Sequence, residues 1–304
     1  MNWWSAQAAG IVLTLILSPL YLGIAQTVKA RMQGRRGPAV IQGYWVIGKT
    51  WRKETTVPEH SSFVFRLAPS LSLSALVTIV IIIPWGGHAP NGWPHDLLAV
   101  FFLLALERFW VGLSGLDSAG TFGGLGASRI TTLGSGIEPA LFAVFGLMFL
   151  LSGGTNIVPI TPKLSHPMST LPWLLAAFGY ALVLLAELGR LPVDNPDTHL
   201  ELTMMHEATV LEYNGRLLAQ SQLLTALKFT VMTAMGWIIL APSAASPWVN
   251  IGILQLELAV SSIVLGWTES RFVKLRYFRL PRYFGTAMGA GMLAVYLAAS
   301  RGWL

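Results

Sequence analysis

LLAVFFLLALERFWVGLSGL, residues 97–116, is an apolar run broken only by Glu107 and Arg108. A helix needs about 20 such residues to cross the apolar core of a bilayer, and a run of this length reads as a membrane span. Seven further windows qualify, at roughly 6–27, 67–86, 133–152, 169–188, 219–241, 249–268 and 283–300. The expected fold is therefore all-α: a polytopic membrane protein of about eight transmembrane helices, forming a single integral membrane domain over residues 1–304. The composition agrees. Of the 304 residues, 54% are hydrophobic and 11% charged, against a charged share of roughly 25% in soluble domains.

The N-terminal run lacks the basic segment of a cleaved signal peptide, so it is expected to stay as the first helix. The chain has no cysteine, which excludes disulfides, thiolate zinc and iron–sulfur clusters ligated by this chain. Any redox centre would belong to a partner. The net charge of +6 is explained by membrane topology without invoking nucleic acid.

Lys and Arg are distributed unevenly between the spans. The first connection holds Lys29, Arg31, Arg35, Arg36, Lys49, Arg52, Lys53 and Arg66, and the seventh holds Arg271, Lys274, Arg276, Arg279 and Arg282. The connections near 87–96, 153–168 and 242–248 contain only Lys163. The positive-inside rule then places the odd-numbered connections in the cytoplasm and both termini outside. After Gly37-Pro38, Val40, Tyr44, Ile47 and Trp51 share one helical face while Gln42, Lys49 and Lys53 take the other. This pattern predicts an amphipathic interfacial helix after the first span.

Charges inside spans are costly and face protein or water, which makes them functional candidates. Glu107, Arg108, Glu138, Lys228 and Glu257 lie within the windows, with Glu187 near the end of the fifth. Glu107 and Arg108 are neighbours in sequence and diverge by about 100° on a helix, so separate partners are expected for them. The six histidines show no metal-ligand or bis-histidine haem spacing, so no metal is expected. GTFGGLGAS, residues 120–128, has no strand before it and is not a nucleotide fingerprint. It reads as a cytoplasmic turn where backbones pack closely. No internal repeat is evident, which argues against an inverted-repeat transporter.

The stretch ELGRLPVDNPDTHLELTMMHEATVLEYNG, residues 187–215, gathers six of the fourteen acids, among them Asp194, Asp197, Glu201 and Glu207. It lies in a connection expected on the cytoplasmic side, against the basic bias of the others. Arg190 follows Glu187 by one turn and is expected on the same side. Pro192 and Pro196 limit helix, so the segment is expected to form an irregular plug against the bundle.

The chain resembles the membrane subunit shared by respiratory complex I, where it is called subunit 1 or H, and by the energy-converting group 4 [NiFe] hydrogenases and formate hydrogenlyases. The resemblance runs through RRGP at Arg35 to Pro38, GASR at Gly126 to Arg129 with Glu138 beyond it, and ELGRLPVDNPDTHLE. It implies a subunit that anchors a cluster-bearing peripheral arm and passes redox energy through buried acids. On the matching positions these are Glu138, Glu187, Asp194, Asp197 and Glu201. To that relay the intramembrane charges add Glu107, Lys228 and Glu257, and the acid-rich stretch adds Glu207. Arg35, Arg36, Gly37, Pro38, Gln42, Lys49, Lys53, Arg129 and Arg190 would form the partner-docking surface or a quinone-like pocket.

The implied partners are a [NiFe]-hydrogenase-like large subunit, a cluster-bearing small subunit and antiporter-like membrane subunits, with iron–sulfur clusters and [NiFe] on them and none on this chain. The implied location is the cytoplasmic (inner) membrane of a prokaryote. Val193 stands where the family usually has Phe, and His199 where complex I tends to have an acid. TMMHEATVLEY, residues 203–213, is longer than the complex I version. These departures point toward the hydrogenase-type branch and against quinone. The alternatives are a quinone-site subunit of a complex I-like enzyme, a stand-alone secondary transporter using Glu107, Lys228 and Glu257, and a passive scaffold.

Overall fold

A computed structural model of the protein describes residues 3–157, 170–195, 205–244 and 246–300. Among these residues it is helical, with no strand and one isolated bridge between Asp96 and Asn156. The order is α1 (Trp3–Met32), α2 (Gln42–Trp51), α3 (Phe63–Ile82), α4 (Leu97–Asp117), α5 (Thr121–Ser152), α6 (Thr170–Glu187), α7 (His206–Thr209), α8 (Gly215–Leu240), α9 (Pro247–Arg271) and α10 (Leu280–Ser300). Eight of them are long and apolar enough to cross a membrane, and they correspond one for one to the windows in the sequence. The protein is a multi-span membrane protein.

Helix ends follow local chemistry more closely than hydropathy. The third helix, α3, is Phe63–Ile82 where the apolar run suggested 67–86. Asp117 Oδ2 accepts from the Ser62 and Phe65 amides, both at 2.9 Å, satisfying early donors of α3. Ile83 is extended ahead of Pro84, and the helix stops there. Asp96 caps α4 in the same manner, accepting from Leu98 and Ala99.

The expected turn at residues 120–128 is a correction: α5 begins at Thr121 and runs on to Ser152. Glycine lowers helix propensity in isolation, yet here close packing outweighs it. A Cβ on Gly126 would sit 2.9 Å from the Thr209 amide, and one on Gly123 would sit 2.6 Å from the Gly115 carbonyl. The expected close approach of backbones is present, with the chain helical.

α8 occupies the middle of the bundle, with 67% of its apolar window buried, and packs against α1, α2, α3, α6 and α9. The interfacial helix is present as α2, lying on α1 and α8. Tyr44 donates to the Ile16 carbonyl at 2.7 Å, and Thr50 reaches Gln222 at 3.2 Å. Gln42, Lys49 and Lys53 are exposed, in line with the sequence pattern. Trp51, expected on the apolar inward face, is 47% exposed instead, and buried Thr50 takes the inward position.

Two helices, α1 and α6, end in the same hydrogen-bonded turn. In α1, Gly34 (φ +73°) donates to the Arg31 carbonyl and Arg35 to the Ala30 carbonyl. In α6, Gly189 (φ +58°) donates to Ala186 and Arg190 to Leu185. Both are Schellman closures, which require the left-handed conformation that glycine adopts without strain. Each turn hands the chain to an arginine.

Candidate functional site

The charged residues inside the spans converge. On α6, Ala176, Tyr180, Val183 and Glu187 share the buried face, and Tyr180 is fixed by its hydroxyl, which donates to the Met232 carbonyl at 2.6 Å. Glu187 is thereby held against α8, where Lys228 lies 3.0 Å from its Oε1. That contact is an ion pair without an aligned hydrogen bond, since Oε1 is buried with no directed donor. Lys228 donates instead to Glu107 Oε2 at 2.7 Å. The other Glu187 oxygen, Oε2, accepts from Arg108 Nη2, and Arg108 Nη1 donates to Glu138 Oε1 at 2.7 Å.

The result is an alternating series, Glu107, Lys228, Glu187, Arg108, Glu138, drawn from α4, α5, α6 and α8. Glu107 and Arg108 take separate partners, as their helical divergence required. The Glu107 and Glu187 side chains are each 1% exposed, whereas that of Glu138 is 40% exposed. Burying an ion pair is stabilising only when geometry is good and the remaining lone pairs are met. Here each base serves two acids.

A second cluster lies at the ends of the spans. Glu269, 1% exposed at its side chain, takes Lys29 at 3.0 Å and Arg190 at 2.9 Å. Asp194 binds Lys274 at 2.5 Å and accepts from the Met205 amide at 2.8 Å. The Arg190 guanidinium also lies 5.7 Å over the Phe229 ring. The expected proximity of Arg190 to Glu187 is corrected here. The left-handed Gly189 breaks the helical register between them and turns Arg190 to Glu269 on α9.

Two cavities meet between the clusters. The inner one, about 70 Å³, is lined by Glu107, Arg108, Glu187 and Lys228 and has room and polar partners for water. The outer one, about 500 Å³, is lined by Lys29, Arg35, Pro38, Arg190 and Glu207, among others. Leu188, Gly189, Asp194, His206 and Thr225 border both. His206, outside the spans on α7, makes a 3.2 Å contact from Nε2 to Thr225 Oγ1. Burial holds its imidazole below the usual histidine range. Glu207 and Asp194 pull the value up, Lys228 and Arg190 push it down, and burial prevails.

The other sequence candidates fall as follows. Arg36 is exposed. Gly37 fits against Thr27 and Ala30, and the Pro38 carbonyl accepts from Thr27 at 3.0 Å. Arg129 is half-buried, with Nη1 lacking a hydrogen-bond partner among the described residues. Glu257 is half-buried on α9, beside exposed Leu256 and Val260, and makes no ion pair or hydrogen bond among the described residues. It stands apart from both clusters. Asp197 and Glu201 lie outside the described residues.

Sequence reasoning left out Glu269, Lys29, Lys274 and His206. Glu269 sits one residue past the expected end of the seventh span, and His206 was weighed only for metal spacing. Among the described residues, no group of three or more His, Cys, Asp or Glu could hold a metal ion.

The NADH dehydrogenase family model matches residues 6–299. Hydrogenase-4 component C of Escherichia coli (strain K12) is 33% identical over 258 residues, covering 83% of this chain and 80% of that protein. Formate hydrogenlyase subunit 4 of the same organism is 31% identical over 290 residues, covering 91% and 93%. NADH-ubiquinone oxidoreductase chain 1 of Chondrus crispus is 23% identical over 290 residues, covering 90% of this chain and 88% of that protein. Among solved structures, a chain of the membrane-bound sulfane sulfur reductase, an archaeal respiratory membrane complex, superposes with a TM-score of 0.82 at 19% identity, covering 98% of this chain and 100% of that one. That likeness concerns the fold.

Proposed function

We propose that this chain, which belongs to the NADH dehydrogenase family of complex I subunit 1 type, is the membrane anchor and proton-coupling subunit of a hydrogenase-4 or formate hydrogenlyase-type complex. The observation that carries this reading is the alternating series from Glu107 to Glu138, whose cavity shares Asp194 and His206 with the wall of the outer chamber. With three acids and two bases the series has one carboxylate in excess when every group is charged. A proton received at Glu187, on the oxygen without an aligned donor, loosens Arg108 and Lys228 from their shared acid. Each base then shifts toward its other acid, Glu138 or Glu107. The proton states belong to the coupled set.

In this reading the outer chamber and the exposed Arg36, Lys49 and Lys53 face the cytoplasm, both termini lie outside, and the chain works as one integral membrane unit. A cluster-bearing small subunit and a [NiFe]-hydrogenase-like large subunit cover that face, and antiporter-like subunits receive the charge shift in the membrane. The redox cofactors are theirs. A second reading, a quinone site, draws on the chamber volume, which falls within the range of small-molecule pockets. Lys29, Arg35, Arg190, Asp194 and Glu207, set in its wall among Leu22, Ala30, Pro38 and Leu188, suit water and ions better than an apolar ring and tail.

The test uses the native complex reconstituted in vesicles. Glu187→Gln and Glu138→Gln retain partner turnover and lose proton translocation. Unchanged translocation in both removes the relay. Inhibition by quinone analogues, with stoichiometric bound quinone, would favour the second reading.

A further inference from the structure

Across Leu133 from the inner cavity, α5 and α10 border a groove of about 400 Å³. Its walls include Gly136 and Pro139 on α5 and Phe284, Gly285 and Met288 on α10, and Phe278 stands at one end. The two α5 hydroxyls on the groove are spent within their own helix, Thr132 on the Ser128 carbonyl and Ser135 on the Thr132 carbonyl. The groove therefore offers apolar surface and few free donors.

The segment at its mouth has the opposite character. Phe272, Val273 and Phe278 are 51%, 82% and 91% exposed, a degree of exposure that marks apolar side chains needing cover other than water. Between and beside them, Arg276, Arg279 and Arg282 are exposed, and their side chains make no ion pair or hydrogen bond among the described residues. No acid follows Glu269 in the sequence to neutralise them. Aromatic side chains interleaved with arginines at a span end match the headgroup level of a membrane.

We infer that this groove is a specific binding site for an anionic phospholipid. An acyl chain lies between α5 and α10, and the phosphate is held by Arg279 and Arg282. The charge selects the lipid: a zwitterionic headgroup leaves three cations uncompensated, and a free phosphate leaves the apolar groove uncovered. The site is independent of proton coupling and stands or falls separately from it.

The experiment is native mass spectrometry of the full-length protein in detergent, counting lipids retained after exchange into phosphatidylglycerol or phosphatidylcholine. The wild type retains phosphatidylglycerol preferentially. R279Q/R282Q weakens that retention by roughly twenty-five-fold, about fivefold per arginine, and removes the headgroup preference. Gly285→Leu fills the groove, since a Cβ there meets nothing within 4 Å, and it loses both lipids with its elution profile unchanged. Equal retention of the two lipids by the wild type overturns the inference, as does undiminished phosphatidylglycerol in Gly285→Leu. A photoreactive side chain at position 278 in the assembled complex should capture lipid. Capture of a protein segment in its place also overturns the site.

Discussion

The two charged clusters are built from the same residue types and differ in their arithmetic. Among the described residues of the span-end cluster, Glu269 and Asp194 face Lys29, Arg190 and Lys274. In the inner series three acids share two bases. Glu269 is held between cations from two different segments, and the span-end cluster acts as a clamp tying α1, α9 and the residues after α6 together. An acid that must share each cation with another acid can give one up when protonated. The same interaction is a lock at one end and a switch at the other, and the sharing of each inner base between two acids marks the switch.

The comparison breaks most easily at Glu269. Glu269→Ala removes the buried acid that Lys29 and Arg190 share, a change worth about 3–5 kcal/mol, and should abolish recovery of folded full-length protein by size exclusion in detergent. Glu187→Gln is smaller, at about 1–3 kcal/mol, because Arg108 and Lys228 each keep another acid. The folded protein should be recovered with a lowered melting temperature while coupling is lost. If the two substitutions prove equally destabilising, the distinction between lock and switch fails.

His206 sharpens the boundary between the clusters. Burial lowers its pKa in the folded protein, so as pH falls through about 6.5 the unfolded chain takes up a proton more readily than the folded chain does. Stability then falls as pH falls through that value. His206→Gln removes this acid limb from a melting-temperature series, and an unchanged limb places the titration elsewhere. Glu257→Gln has the smallest expected effect: translocation stays at the wild-type level, and a loss would bring Glu257 into the relay.

The spans were legible because an apolar run of bilayer length has few other readings. The charges inside them announced themselves by their cost. What stayed hidden depended on backbone conformation and packing. Gly189 looks like any glycine, yet its positive φ sends Arg190 away from Glu187 and toward Glu269. The glycines at 123 and 126 suggested a turn, and only their neighbours Gly115 and Thr209 make a helix the better solution. Glu269 was obscured by a boundary one residue short. His206 needed the two cavities to give it a place, since nothing in its spacing marks it.

The central claim, that the inner series carries an exchangeable proton centred on Glu187, is tested most directly by redox-difference infrared spectroscopy of the reconstituted complex. The wild type should show a protonated-carboxyl band that appears and disappears with turnover of the partner, and Glu187→Gln should lack it. A band that persists unchanged in Glu187→Gln contradicts the account.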